Sequence, residues 1–600
     1  KLALAPILTM DLGDLALAGR TLAALADVGT VAMVYLLGRR LFGKGAGLLA
    51  ATLVTFAVVH IQLAHFYRPE PLTNLFTLAG FWFMLQVMEH RRVRDSALLG
   101  VFVGLAFATK LSVLPLLLPL VLLYGYLLRR ILRDSTAEQR PEFIERWAVR
   151  LLVTGAAATA VYIFCTPYAI LSFPEFLEWN LRELEIVKNA GIVPYTVQYM
   201  GTTNLLYELR QTTLWGLGPL LGVLAWVGFL ATIAVNVRRP KMGQVLILVW
   251  AVPLLLTVIS VEVKFLRYTF PLMPFFILLG TGTALAGYRR LKERVPSLGV
   301  VAAGVMGALV ATTVLYALAF ESIYTRPHTA VQASEWINEN VAPSTTVLTD
   351  NHWDEGIPNL GAYRVLQLPM FNGDTQPKME SVAALLADAD YLVFYSNRTY
   401  GAIARVPERY YLSSNYYKLL FSGELGYELE ESFESYPQIL GVALVDDPFG
   451  RAGLTPLAPL RAEPVAPVSL DLGYADNDAV TYDHPLTLVF RNAANLDSAR
   501  LAELLLATER PPPPALALML TPEELITQQA GGTWTQIFDL NSLSNRFPVL
   551  TWLLLVQLAS VVVLPLGFLV FRGLADRGYL LSKVLAVLLL AFLPWLMAAL

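Results

Sequence analysis

The stretch Val261–Pro274, VEVKFLRYTFPLMP, sets two fixed cations, Lys264 and Arg267, beside the phenol of Tyr268 at the mouth of an apolar helix. A charge at the centre of a bilayer costs roughly 2.5–3.5 kcal/mol on insertion scales, so a cationic cluster at a helix entrance ordinarily has an anion to meet. Other ionisable residues stand at comparable helix ends: His65, Arg68 and Glu70 in HFYRPEP, and Lys110 in FATKLS. Lysine offers a phosphate compact charge, and arginine offers it a bidentate fork. A carboxylate such as Glu70 can act as base on an acceptor hydroxyl or hold a divalent metal. Each residue also has a plainer reading. Arg68 and Lys110 suit snorkelling to headgroups, and Glu70 between two prolines suits a solvated turn.

The elements that must position these residues are membrane spans. Hydrophobic residues make up 56% of the 600 and charged residues only 15%, against about 25% charged in an average globular chain. Mean hydropathy is +0.55. Apolar runs of 18 or more residues recur, each long enough to cross a hydrocarbon core of roughly 30 Å. The net charge of −3 therefore says little about partners, and nothing points to nucleic acid. Cys165, the one cysteine, rules out an internal disulfide and reads as a small core residue inside an apolar run. No GxxxxGK[ST], GxSxG or CxxC pattern occurs.

Basic loops fix the expected topology. GRRLFGKG after the first span and EHRRVRD after the third face the cytoplasm, so HFYRPEP faces outward. The segment 96–128 has arginines at both ends and must cross an even number of times. As one helix it would be roughly 50 Å long. Two short spans meeting near Ala108–Ser112 fit better and put Lys110 at the outer tip. The glutamate-rich segment 172–213 reads as an outer loop with an amphipathic helix at the interface. In all, about twelve crossings are expected, with an earlier span ahead of Lys1. His65, Arg68, Glu70, Lys110, Lys264, Arg267 and Tyr268 all fall at outer helix ends, although none of them was needed to draw the topology.

Three regions follow: 1–320, the membrane domain; 321–545, an extracytoplasmic α/β and β-rich region with a Pro511–Pro514 linker; and 546–600, a transmembrane hairpin. TTVLTD, YRVLQL and DYLVFYS read as short, nearly continuous apolar strands, with SVAALLADAD as a crossover helix. APVSLDLGYA and AVTYDHPLTLVFRN also read as strands. Asp350, Asp354 and Glu355 in TDNHWDEG end a strand and read as a solvated loop, and the histidines show no metal-ligand spacing.

HFYRPEPLTNLF, GLAFATKLSVLPLLLPL and KFLRYTFPLMPFF, in this order, resemble the GT-C glycosyltransferases, especially the protein O-mannosyltransferase and aminoarabinose-transferase branch. The run GRTLAALADVGTVAMVYLLGRRLFG is similar to that branch's second span. The resemblance covers about Gly19–Phe320. It implies a polyprenyl-phosphate-linked sugar as donor and a protein or glycan as acceptor. Glu70 takes the place of an acidic outer-loop residue, Lys110 that of the lysine near the donor phosphate, and Arg267–Tyr268 that of a late outer-loop pair at the same headgroup. The family's principal acid lies just after its first span, so it is expected ahead of residue 1; Asp11 and Asp14 lie too close to the next span. The tail, TPEELITQQAGGTWTQIFDLN onward through RGLADRG, resembles the start of prokaryotic YYY-type membrane proteins and implies a fusion.

The expectation is therefore a multi-pass, mostly α-helical plasma-membrane protein of GT-C type with an extracytoplasmic α/β domain. Its function would be transfer of a sugar from a lipid-phosphate carrier, with Glu70 as catalytic base, Lys110, Lys264, Arg267 and Tyr268 on the phosphate, and His65 and Arg68 on substrate. The alternatives are a catalytically silent scaffold in a larger membrane complex and a lipid-linked sugar transporter. A transporter would want charge near the midplane rather than at one face.

Overall fold

The structure, a computed structural model, describes residues 12–350, 356–457, 460, 466–509, 542–571, 573–574, 576 and 578–599. Asp354, Glu355, Asp11, the Pro511–Pro514 linker and most of the YYY-like motif lie outside them. The chain forms two compact units, Lys1–Pro511 and Pro512–Leu600.

The first unit opens with seven helices: α1 (Leu12–Phe42), α2 (Lys44–Thr55), α3 (Val58–Ala64), α4 (Glu70–His90), α5 (Val93–Thr109), α6 (Leu117–Asp134) and α7 (Arg140–Cys165). Helices Pro219–Arg238, Met242–Ser260, Met273–Arg294 and Pro296–Glu321 complete the bundle. Among the described residues ten helices are long and apolar enough to cross a membrane; the bent pair α2–α3, kinked by 58°, makes an eleventh. The expected twelve included α5, whose 17 residues leave it just short of that length. The protein is a multi-pass membrane protein.

Local chemistry fixes where the helices stop. Pro71 sits in the first turn of α4, where its missing N–H is no loss, and Glu70 stands at the same N-terminus, whose positive end favours a carboxylate. At the other end of α4, Arg91 adopts φ 55° and closes the helix left-handedly. The expected break in 96–128 is present. Lys110 is extended (φ −159°, ψ 123°), and a 3-10 turn, Leu111–Leu116, precedes α6. Pro115 lies inside that turn, where it can neither donate to nor clear a continuous α-helical ladder. α5 and α7 meet backbone to backbone at Gly100 and Gly104. A Cβ built on Gly104 would fall 2.5 Å from the Ala158 carbonyl oxygen.

Helix Phe173–Lys188 buries none of its side chains, as an interfacial amphipathic helix would not. Cys165 is exposed at the end of α7 rather than packed in a core, because the helix turns that face outward.

The α/β domain stands at the Glu70–Lys110 end of the bundle. Its main sheet runs β2 (Arg364–Gln367), β1 (Thr346–Thr349), β3 (Tyr391–Phe394), β8 (Thr487–Asn492), β4 (Tyr427–Phe433). β2, β1 and β3 are parallel, and β8 pairs antiparallel with β3 and β4. A second sheet orders β5 (Gln438–Ile439), β6 (Val442–Val445) and β7 (Val468–Asp471). The expected strand over AVTYDHPLTLVFRN forms only at Thr487–Asn492; the residues before it turn within the β7–β8 connection, which contains a helical turn, Asn477–Val480. Asp476 caps that turn by accepting from the Asp478 N–H, a local bond that competes with strand pairing.

The second unit is a helical hairpin, Pro548–Val570 and Tyr579–Ala599, joined across its two arms by Ser560 and Ser582 at 2.9 Å.

Candidate functional site

Glu70, Lys110, Arg267 and Tyr268 come together. Lys110 Nζ donates to Glu70 Oε1 at 2.8 Å and lies 5.7 Å from the Tyr268 ring centre. The Arg267 guanidinium lies 5.6 Å from the same ring and 3.9 Å from that of Phe265. Glu70 is 3% exposed and its Oε2 has no hydrogen-bond partner. The helix break at Lys110 and the short turn Leu266–Tyr268 deliver the two cations to either side of one tyrosine.

The other expected members are placed differently. The Lys264 ammonium is buried and fully used, donating to Glu208 Oε1 at 2.9 Å and to the Ile259 and Val261 carbonyls at 3.0 and 2.9 Å. With three protons and three acceptors, it holds the loop rather than facing a phosphate. His65 bonds the Ile61 carbonyl through Nδ1 and stacks on Tyr324 at 4.0 Å. Arg68 lies 4.9 Å from the Tyr482 ring centre.

Asp478 was not legible from the sequence. Its carboxylate takes an ion pair from Arg267 Nη1, and its Oδ2 accepts the Arg267 backbone N–H at 3.2 Å. Asp478 belongs to the β7–β8 connection, which is fastened to the membrane helices at several points. Gln62 donates to the Asp478 carbonyl at 2.9 Å, Gln211 exchanges bonds with Tyr474 and Asp476, and Tyr324 donates to Asp483 at 2.8 Å. Tyr199 and Tyr207 both donate to Asp476. Burial, together with the nearby Asp478, pushes the Asp476 carboxyl up to about 7. Burial raises Asp483 to about 7 as well, against the pull of Gln62 and Tyr324. Burial opposes the Arg267 charge, but Asp478, Tyr268 and Glu70 more than restore it, leaving it above its ordinary value. Tyr268 is pushed up to about 12 by burial.

One layer deeper, His60 Nδ1 meets Asp27 Oδ1 at 2.7 Å and the ring packs on Phe270 at 4.6 Å. The acid inside the first span is the sequence signal that such a histidine is paired.

A divalent metal at Glu70 does not fit the residues present. Among the described residues no group of three or more His, Cys, Asp or Glu side chains could hold one, and the Lys110 ammonium takes the place of a cation on Oε1.

Residues 4–160 match the family model described as dolichyl-phosphate-mannose-protein mannosyltransferase. No protein of curated function matches the sequence. Among solved structures, the chain is similar to the apo oligosaccharyltransferase of Archaeoglobus fulgidus, with 14% identity and a TM-score of 0.39 over 66% of this chain and 62% of that one. It is similar to the same organism's AglB in complex with an inhibitory peptide and a dolichol-phosphate, with 13% identity and a TM-score of 0.36 over the same shares. It is similar to ArnT from Cupriavidus metallidurans bound to undecaprenyl phosphate, with 16% identity and a TM-score of 0.35 over 64% of this chain and 80% of that one. The chain thus spans 62% of the length of the archaeal oligosaccharyltransferase.

Proposed function

We propose that the protein transfers a sugar from a polyprenyl-phosphate-linked donor to a hydroxyl on a protein or glycan acceptor, at the extracytoplasmic face of the plasma membrane. The observation that carries this reading is the convergence of Glu70, Lys110 and Arg267 on Tyr268 from three separate stretches of chain. In this reading Lys110 and Arg267 hold the donor's phosphate while the bond between the sugar's anomeric carbon and the phosphate oxygen breaks. The phosphate leaves with the electron pair, and the acceptor oxygen forms the new bond. Glu70 takes the acceptor's proton on Oε2, the oxygen that Lys110 leaves free. The α/β domain, seated over this end of the bundle, receives the acceptor.

The experiment is transfer from a radiolabelled polyprenyl-phosphate sugar by the reconstituted protein, in wild type, Lys110→Ala and Arg267→Ala, with folding checked by thermal melting. Losing one preorganised donor of this kind costs about 10²-fold or more in rate. Unchanged transfer in both folded variants removes the phosphate site. A second reading, a silent GT-C-type scaffold, is favoured by one observation: Lys110, Lys264 and Arg267 each already carry an internal carboxylate. Absence of transfer by the wild type from any lipid-phosphate sugar, with lipid phosphate still unbound, would select it.

A further inference from the structure

Two ion pairs share the Tyr268 ring, and they are arranged front to back. The cations are the accessible partners: the side chains of Lys110 and Arg267 are 25% and 17% exposed, those of Glu70 and Asp478 only 3% and 8%. A ligand approaching the cluster therefore meets two positive ends, each with a carboxylate behind it. The charged side chains acting on Arg267 are Asp478 and Glu70, and those acting on Glu70 are Lys110 and Arg267. The four groups make one unit with two charges of each sign.

That balance bears on the reaction proposed above, on which this inference rests. The donor, a phosphodiester, carries a single negative charge. The lipid product is a phosphomonoester with a second pKa near 6, and it carries roughly −1.5 to −2 at neutral pH. A site with two bare cations would hold the product more tightly than the donor and release it slowly. A site whose cations are internally neutralised gains little from the product's extra charge.

We propose that Asp478 is a specificity-determining residue: by neutralising Arg267 it makes the site accept the monoanionic phosphodiester donor without favouring the dianionic phosphomonoester product. Asp478 is built for this role. Both carboxylate oxygens are committed to Arg267, one through the guanidinium and one through the backbone N–H, and its own backbone is held by Gln62 and Asp476. The carboxylate stays in place beside the guanidinium of a side chain that is 17% exposed.

The test uses the whole protein in detergent with two probes of equal chain length, undecaprenyl phosphate and its methyl ester, and measures both dissociation constants at pH 8. The proposal expects Asp478→Asn to bind the monoester about tenfold tighter relative to the methyl ester than wild type does, as one added unit-charge contact screened as in bulk water implies. Asp478→Glu should restore the wild-type ratio, and raising the salt should shrink the gain. A ratio unchanged in Asp478→Asn overturns the proposal, and so does equal weakening of both probes, which would make Asp478 a purely structural clamp. Arg267→Ala and Lys110→Ala separate the two levels. If neither alters the binding of either probe, the phosphate site itself is wrong. If they weaken binding while Asp478→Asn leaves the ratio alone, the site stands and the role of Asp478 falls.

Discussion

Replacing Lys110 by methionine should destabilise the protein far more than replacing both Lys110 and Glu70. The two charges attract at 2.8 Å with roughly 6 kcal/mol at an effective dielectric of about 20. That attraction is set against the removal of a carboxylate from water, a cost of several kcal/mol, and Glu70 Oε2 regains no hydrogen bond. The pair as a whole is thus close to neutral for stability, but its halves are not equivalent. Lys110→Met leaves a 3% exposed carboxylate without its lysine partner, at a cost of about 3–5 kcal/mol. Glu70→Gln leaves an ammonium that is 25% exposed and able to hydrate, at a cost of about 1 kcal/mol. Glu70→Gln with Lys110→Met should fall within about 1 kcal/mol of wild type, so the double-mutant cycle should return a coupling of about 3–6 kcal/mol. Reversible unfolding in mixed micelles, followed by tryptophan fluorescence, measures all four corners. A Lys110→Met protein no less stable than the double mutant would refute the buried-pair geometry.

Two further outcomes follow from the fold. Gly104→Leu should force α5 and α7 apart, because the first added carbon already falls 2.5 Å from a backbone oxygen; overpacking of this kind costs about 1–3 kcal/mol or more, and an unchanged melting temperature would contradict the close crossing. Asp483 holds its proton up to about pH 7 in the folded chain, whereas an unfolded carboxyl releases it near 4. Its contribution is therefore fully present below pH 4 and is lost as the pH rises to 7, with stability falling across that window. Asp483→Asn has no proton to release, so its melting temperature should fall less between pH 4 and 7 than that of wild type, and parallel curves would refute the assignment.

Much of the architecture was legible in the sequence because membranes reward simple patterns. Apolar run length fixes spans, basic loops sort them, and the arginines bracketing 96–128 alone required a break, which falls at Lys110. The strands TVLT, RVLQ and YLVF and their crossover helix were equally plain, since short apolar runs between polar turns admit few other structures. That His65, Arg68, Glu70, Lys110 and Arg267 share one end of the bundle also followed from topology. What the sequence could not assign was the partner of each charge. Lys264 and Arg267 are three residues apart and both cationic, yet Lys264 is buried on Glu208 and Arg267 is partly exposed on Asp478. Asp478 lies 211 residues from Arg267, in a helical turn between two runs that read as strands. Span placement is a contest between each segment and lipid, decided locally. Charge pairing is a contest among all the groups that packing brings within a few ångströms, and only the folded chain settles it.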